Sequence, residues 1–145
     1  MSDLKLKEVF AGFTDSIELP VFSVRIPAGF PSPADGEPDQ KIDLNKYLIK
    51  NASSTFFYFV EGHSMADIGI HDKSLLIVDA SLEPQNNDII VGVINGEFTV
   101  KQISKINNKL YLLPKNSDFK PIEITEFMNF QLRGVVTKSI NSFRK

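Results

Sequence analysis

Asp88-Ile89-Ile90-Val91-Gly92-Val93-Ile94-Asn95-Gly96-Glu97-Phe98-Thr99-Val100-Lys101-Gln102-Ile103 reads as two strands and the turn that joins them. Its arms, Asp88 to Ile94 and Phe98 to Ile103, are rich in β-branched and aromatic residues, which suit a pleated, half-buried surface. Asn95-Gly96 stands between them, and both residues tolerate the positive φ that a two-residue hairpin demands. Working outward, Phe56 to Glu61, Leu75 to Asp79, Leu110 to Leu113 and Leu132 to Ile140 carry the same composition. Ile106-Asn107-Asn108-Lys109 reads as a second tight turn. From about residue 42 onward the chain is therefore expected to form a compact, mainly β domain, residues 42–145.

The first 41 residues read differently. Ile17 to Val24 suits a short strand, confined to a sheet edge by Pro20. Pro27, Pro31, Pro33 and Pro38, with Gly29 and Gly36, then mark a loop or arm, because proline fixes φ and removes a donor. Asp43 is placed to cap a short helix through Lys50, with Leu44, Tyr47 and Leu48 at helical spacing.

Composition bounds the chemistry. Hydrophobic residues make up 42% of the 145 and charged residues 23%, as in ordinary globular chains. There is no cysteine, which excludes a disulfide framework, a thiolate zinc site and a cysteine nucleophile. A net charge of −2 gives no general surface for polyanions, so direct nucleic-acid binding is not expected. No apolar run is long enough to cross a bilayer, and Met1-Ser2-Asp3-Leu4-Lys5 lacks a signal-peptide core, so a cytoplasmic location is expected. Asp67, Asp72 and Asp79 lack calcium-loop spacing and read as turn and strand-end residues. No metal and no cofactor are expected.

Two residues carry candidate chemistry. Ser64 lies in Glu61-Gly62-His63-Ser64-Met65, and a serine hydroxyl becomes a nucleophile when a neighbouring base takes its proton. His63 adjoins Ser64 and points to the opposite face of an extended segment, and His71 has no carboxylate obviously placed to orient it. Lysine can replace histidine where burial disfavours its charged form. Lys101 suits that role best, alternating with Thr99 and Ile103 on one strand face, so it looks either to solvent or into a cleft. Taken alone, a strand lysine reads as solvent-exposed and Gly-x-Ser-Met as chance. Ala28-Gly29 adds a bond with little side-chain bulk, with Pro31 and Pro33 keeping the downstream side extended; the plainer reading is a Pro-Gly linker.

Together these segments resemble the LexA/UmuD family of self-cleaving serine peptidases. The resemblance rests on Ala28-Gly29-Phe30-Pro31-Ser32-Pro33, Ile42-Asp43-Leu44-Asn45, Gly62-His63-Ser64-Met65, Leu75-Leu76-Ile77-Val78-Asp79, Asp88-Ile89 through Lys101, Leu113-Pro114-Lys115-Asn116-Ser117 and Gly134-Val135-Val136. It covers about residues 18–140, in order. It implies a twisted, barrel-like β domain of the signal-peptidase-like type behind a flexible N-terminal arm. By position, Ser64 matches the nucleophile, Lys101 the general base and Ala28-Gly29 the self-cleavage bond, with the backbone N–H groups of Ser64 and His63 as oxyanion hole. It further implies a homodimer, cleavage stimulated by a RecA filament on single-stranded DNA in the SOS response, and a cut form that joins a UmuC-type error-prone polymerase subunit. Lys73-Ser74 stands where many relatives have Gly-Asp, Ala66 replaces a bulkier residue, and His63 is unusual at its position.

Rival readings are a LexA-like repressor, a processing peptidase, and a catalytically weak interaction module of a repressor or polymerase complex. The residues before Ala28 show no helix-turn-helix pattern and are too few for such a domain. A signal-peptidase-like enzyme would need a membrane anchor.

Overall fold

The computed structural model describes residues 16–22, 25–30, 36, 38–113 and 120–144. The chain divides into two units after Lys50. The expected extension at Pro31 and Pro33, and the matching stretch from Pro114 to Ser117, lie outside the described residues.

In the first unit, β1 (Glu18–Phe22) pairs antiparallel with β2 (Pro38–Asp43). Glu18 opposes Asp43 and Pro20 opposes Lys41, with a register shift between Val21 and Phe22. Helix α1 (Leu44–Leu48) follows at once. Asp43 is its cap as expected: its Oδ1 accepts from the Asn45 N–H at 2.9 Å, and its Oδ2 accepts from Ser16 Oγ at 3.1 Å. The helix stops at Ile49, short of the expected Lys50, and buries none of its residues. The sequence reading missed β2, whose Pro-Asp-Gln-Lys start has no strand-like alternation.

The second unit carries a separate, seven-stranded sheet. Its strands are β3 (Thr55–Phe59), β4 (Leu75–Asp79), β5 (Ile89–Ile94), β6 (Glu97–Ile106), β7 (Lys109–Leu112), β8 (Ile122–Glu123) and β9 (Phe130–Ile140). They form one antiparallel sheet in the order β3-β4-β9-β5-β6-β7-β8, so the mainly β expectation holds. Asn95 and Gly96 take φ of 51° and 85°, and Asn107 and Asn108 take 52° and 63°, the positive values that paired hairpin turns require. Strand β6 runs three residues past the expected Ile103, and the two-residue β8 was not foreseen.

Both faces of the central strands are covered. Consecutive residues on β5 enter different clusters: Val91 joins Met65, Ile70, Leu76 and Val78, whereas Ile90 joins Ile103, Leu112 and Val135. Side chains alternate across a strand, so the two clusters lie on opposite faces of β5. Each fully buried aliphatic side chain contributes about 1.5–3 kcal/mol, and Leu76, Val78, Ile90 and Ile103 are all at 0% exposure.

Strand β9 is bent twice. Its register slips opposite Ile77/Val78 and again opposite Val91/Gly92, leaving Thr137 and Arg133 as extra residues. Bulges of this kind increase local twist. Thr137 Oγ1 donates to the Ile77 carbonyl at 3.2 Å, satisfying an acceptor at the first slip. Between the slips, Gly134 lets the backbones touch: a Cβ there would stand 2.7 Å from Val78 Cγ1 and 2.9 Å from the Asp79 carbonyl oxygen. The twist has a measurable result. Tyr58 on β3 and Phe98 on β6 have ring centroids 6.0 Å apart, although β4, β9 and β5 separate their strands in the sheet. The sheet therefore coils around the Met65 cluster.

Asp79 closes the far end of β4. It is 5% exposed, and its carboxylate accepts from Ser81 Oγ (2.7 Å), Asn51 Nδ2 (2.8 Å), the Ser81 N–H (2.9 Å) and Ser54 Oγ (2.9 Å). Hydrogen bonds from Ser81, then Asn51, hold its carboxyl well below the usual carboxylate range, against the opposing effect of burial.

Candidate functional site

The segment after β3 is a loop pinned at both ends. The Val60 N–H donates to the Ser74 carbonyl at 3.0 Å, and the Lys73 N–H returns to the Val60 carbonyl at 2.7 Å, which extends the β3–β4 ladder. Gly62 then turns at φ of 93°, and its N–H is held by Asp72 Oδ1 at 2.8 Å. That positive φ suits glycine and lets the chain reverse within a few residues.

Beyond His63 the loop tightens into a 3-10 turn at Ala66–Ile68. The Ala66 N–H donates to the His63 carbonyl, the Ile70 N–H donates to the Met65 carbonyl, and Gly69 ends the turn at φ of 90°. Met65 and Ile70 are sunk in the core cluster. Ser64 is therefore exposed but immediately precedes an anchored residue, which limits how far its hydroxyl can wander.

Lys101 arrives from the other side. On β6 it opposes Ile90 of β5, and it is half-buried. Ser64 and Lys101 both line one open cleft of about 560 Å³, with Tyr58, Val60, Glu61 and Phe98 among its walls. The coiling that sets Tyr58 against Phe98 is what puts a loop after β3 beside the start of β6. Neither histidine is among the described residues lining it, and both are exposed.

The remaining expected site residues are placed as follows. Ala28 and Gly29 lie in a bend with their surroundings open, and a Cβ added at Gly29 would meet nothing within 4 Å. The flanking Ile26 and Phe30 are equally unburied. His63 and Ser64, the expected oxyanion-hole residues, sit in the exposed turn before Met65. The sequence reading treated Asp72 as a plain turn residue; its grip on Gly62 spans a loop and has no local signature. Among the described residues no group of three or more His, Cys, Asp or Glu is gathered as for a metal ion.

A family model described as Peptidase S24-like matches residues 20–137. The chain belongs to that family. Protein SamA of Salmonella typhimurium is 38% identical over 125 residues, which is 86% of each chain. Protein MucA of Escherichia coli is 40% identical over 123 residues, 84% of each. Protein ImpA of Shigella flexneri is 38% identical over 137 residues, 90% of this chain and 89% of that relative. The resemblance to the LexA/UmuD family read from the motifs is thereby borne out. Membership of the S24-like family supports serine peptidase activity, and the UmuD-like relatives support a self-cleaving protease role in SOS mutagenesis. Among the described residues no helix is long and apolar enough to cross a membrane.

Proposed function

We propose that this S24-like chain is a single-turnover autoprotease that cuts its own Ala28–Gly29 bond with a Ser64–Lys101 dyad. The observation that supports this reading is the shared cleft: Ser64, from the loop after β3, and Lys101, from β6, are both among the residues that line it. In the reaction, Ser64 Oγ attacks the Ala28 carbonyl carbon while uncharged Lys101 Nζ accepts the hydroxyl proton. The backbone N–H groups of Ser64 and His63 steady the developing oxyanion. Collapse of the tetrahedral intermediate breaks the C–N bond, and Lys101 returns the proton to the Gly29 amine. Water then attacks the Ser64 ester of Ala28, giving a free carboxylate and restoring the hydroxyl.

Carrying substrate and nucleophile on one polypeptide raises their effective concentration, so a modest site suffices. The exposed setting of Ala28 and Gly29 supports their role as the cut bond. The cut chain, beginning at Gly29, serves as a homodimeric subunit of an error-prone translesion polymerase of the UmuC type in the cytoplasm, and a RecA filament on single-stranded DNA stimulates the cut. This part of the proposal rests on the likeness to the UmuD-like relatives.

Intact mass of the purified chain tests the chemistry, with and without RecA filament, ATP analogue and single-stranded DNA. The wild type should yield a fragment starting at Gly29, while Ser64→Ala and Lys101→Ala stay whole, each slowed at least about a thousandfold. A Gly29 fragment from either variant at wild-type rate would sink the dyad. A wild-type chain that stays whole in every condition would favour the weak interaction module instead.

A further inference from the structure

Past the end of β9, one side chain reaches back to the loop that carries Ser64. Asn141 Oδ1 accepts from Ser74 Oγ at 2.6 Å and from Ser139 Oγ at 3.2 Å, and Asn141 Nδ2 donates to the Gly69 carbonyl at 3.3 Å. Ser74 is 1% exposed, and its Oγ in turn accepts from the His71 N–H at 3.0 Å. The amide orientation is dictated by its partners: a carbonyl oxygen can only accept, so the NH₂ must face Gly69.

These contacts fall on one structural unit. Gly69 N–H donates to the Ala66 carbonyl and Ile70 N–H to the Met65 carbonyl, while Ala66 N–H donates to the His63 carbonyl. The turn thus runs as a chain of short bonds from His63 and Met65, either side of Ser64, to Gly69. Asn141 grips its far end at Gly69 and, through Ser74, at His71. Met65 and Ile70 hold the inner side in the core, and Asp72 holds Gly62. Asn141 supplies the hold from the β9 end that the local sequence cannot. The S24-like match ends at residue 137, so nothing in that match assigns this residue a part.

We infer that Asn141 is a positioning residue for the Ser64 nucleophile, acting through Gly69 and Ser74 and making no contact with the cut bond. This rests on the proposal that Ser64 is the nucleophile. A reacting hydroxyl displaced by about 1 Å loses rate on the order of 100-fold, so releasing the turn should slow chemistry without emptying the cleft.

The test uses the full chain as wild type, Asn141→Ala, Asn141→Asp and Ser64→Ala, each shown by urea titration to be folded at the assay temperature. Two rates are read: self-cleavage, and labelling by an alkyl fluorophosphonate, in which Ser64 Oγ bonds to phosphorus as fluoride leaves. Asn141→Ala should slow both by about 10-fold or more, while the probe concentration giving half-maximal labelling rate moves less than twofold. A role confined to stability would shift the urea midpoint and leave the rate of the folded protein alone. Asn141→Asp keeps the acceptor for Ser74 and loses the donor to Gly69, so it should fall between the two, and it serves as the test if the alanine variant does not fold. Folded variants that cleave and label within twofold of wild type overturn the inference alone. Equal cleavage and labelling in Ser64→Ala, or none in the wild type, removes the nucleophile assignment and this inference with it.

Discussion

Replacing Asp79 by asparagine should cost the second unit a substantial part of its stability, and the cost should depend on pH in a defined direction. The carboxylate accepts four hydrogen bonds in a buried site. Two of the donors, the Ser81 N–H on Oδ1 and Asn51 Nδ2 on Oδ2, have no way to accept. Whichever way a carboxamide is turned, its NH₂ faces one of them, unless the exposed Asn51 side chain itself turns over. Bonds to a charged acceptor contribute roughly 1.5–3 kcal/mol against about 1 for neutral ones. Four such downgrades of about 0.5–2 kcal/mol each sum to roughly 2–8 kcal/mol, and the exposure of Asn51 and Ser81 lets water recover the upper part of it. A loss of about 2–4 kcal/mol at neutral pH follows, or a urea midpoint lower by roughly 1–2 M. The carboxyl is depressed in the folded chain, so its contribution is whole above the unfolded value of about 3.9 and is lost as pH falls from there toward the lower folded value. The gap between wild type and Asp79→Asn should hold steady from pH 7 to 5 and narrow by about 1 kcal/mol by pH 3. Paired urea titrations at those pH values measure it. A gap under about 0.5 kcal/mol at pH 7, or one equally wide at pH 3, would refute the reasoning.

Other outcomes follow from the same geometry. Gly134→Ala drives a methyl against the Asp79 backbone, which cannot swing aside as a side chain could, and should destabilise by about 2–4 kcal/mol in urea titration; a wild-type midpoint would mean the bulge is slack. An amine accepts a proton only when it carries none, so the self-cleavage rate of the wild type should climb as pH rises from neutral, and a flat profile would point to a different base or a different slow step. Asp72→Ala frees the Gly62 amide two residues from Ser64 and should slow self-cleavage by about 10-fold, whereas Asp72→Asn, which keeps an acceptor oxygen, should cleave closer to the wild-type rate; equal rates in all three would show the loop is held elsewhere.

What the sequence disclosed was whatever short-range chemistry dictates. Asn95-Gly96 and Asn107-Asn108 announce their turns because few other residues tolerate positive φ on consecutive positions. Asp43 announces its helix because a carboxylate before Leu44 can take the orphaned Asn45 N–H. Leu75-Leu76-Ile77-Val78-Asp79 gave its strand with correct limits, being apolar on both faces. Strand β2 escaped notice because backbone pairing with β1, rather than its own side chains, makes Pro38–Asp43 extended. Asp79 read as a strand-end residue because its partners Asn51 and Ser54 come from the other side of β3, at a separation no local pattern reports.

The candidate site divides along the same line. Ser64 and Lys101 were legible as residue types in suggestive settings, and the motifs shared with the LexA/UmuD family joined them. That both residues would line one cleft was not legible, because it depends on the path of the whole sheet. Strands β3 and β6 stand four places apart in strand order, and a flat sheet at about 4.8 Å per strand would hold them nearly 20 Å from one another. Two bulges in β9 and the bare backbone at Gly134 allow the sheet to coil until Tyr58 meets Phe98. Thr137, Arg133 and Gly134 are not among the residues that line the cleft. They set the curvature that brings the loop after β3 over β6. A substitution that straightens β9 should therefore open the cleft and move Ser64 away from Lys101 without altering any cleft side chain, so loss of cleavage in Gly134→Ala would exceed what its folded fraction accounts for.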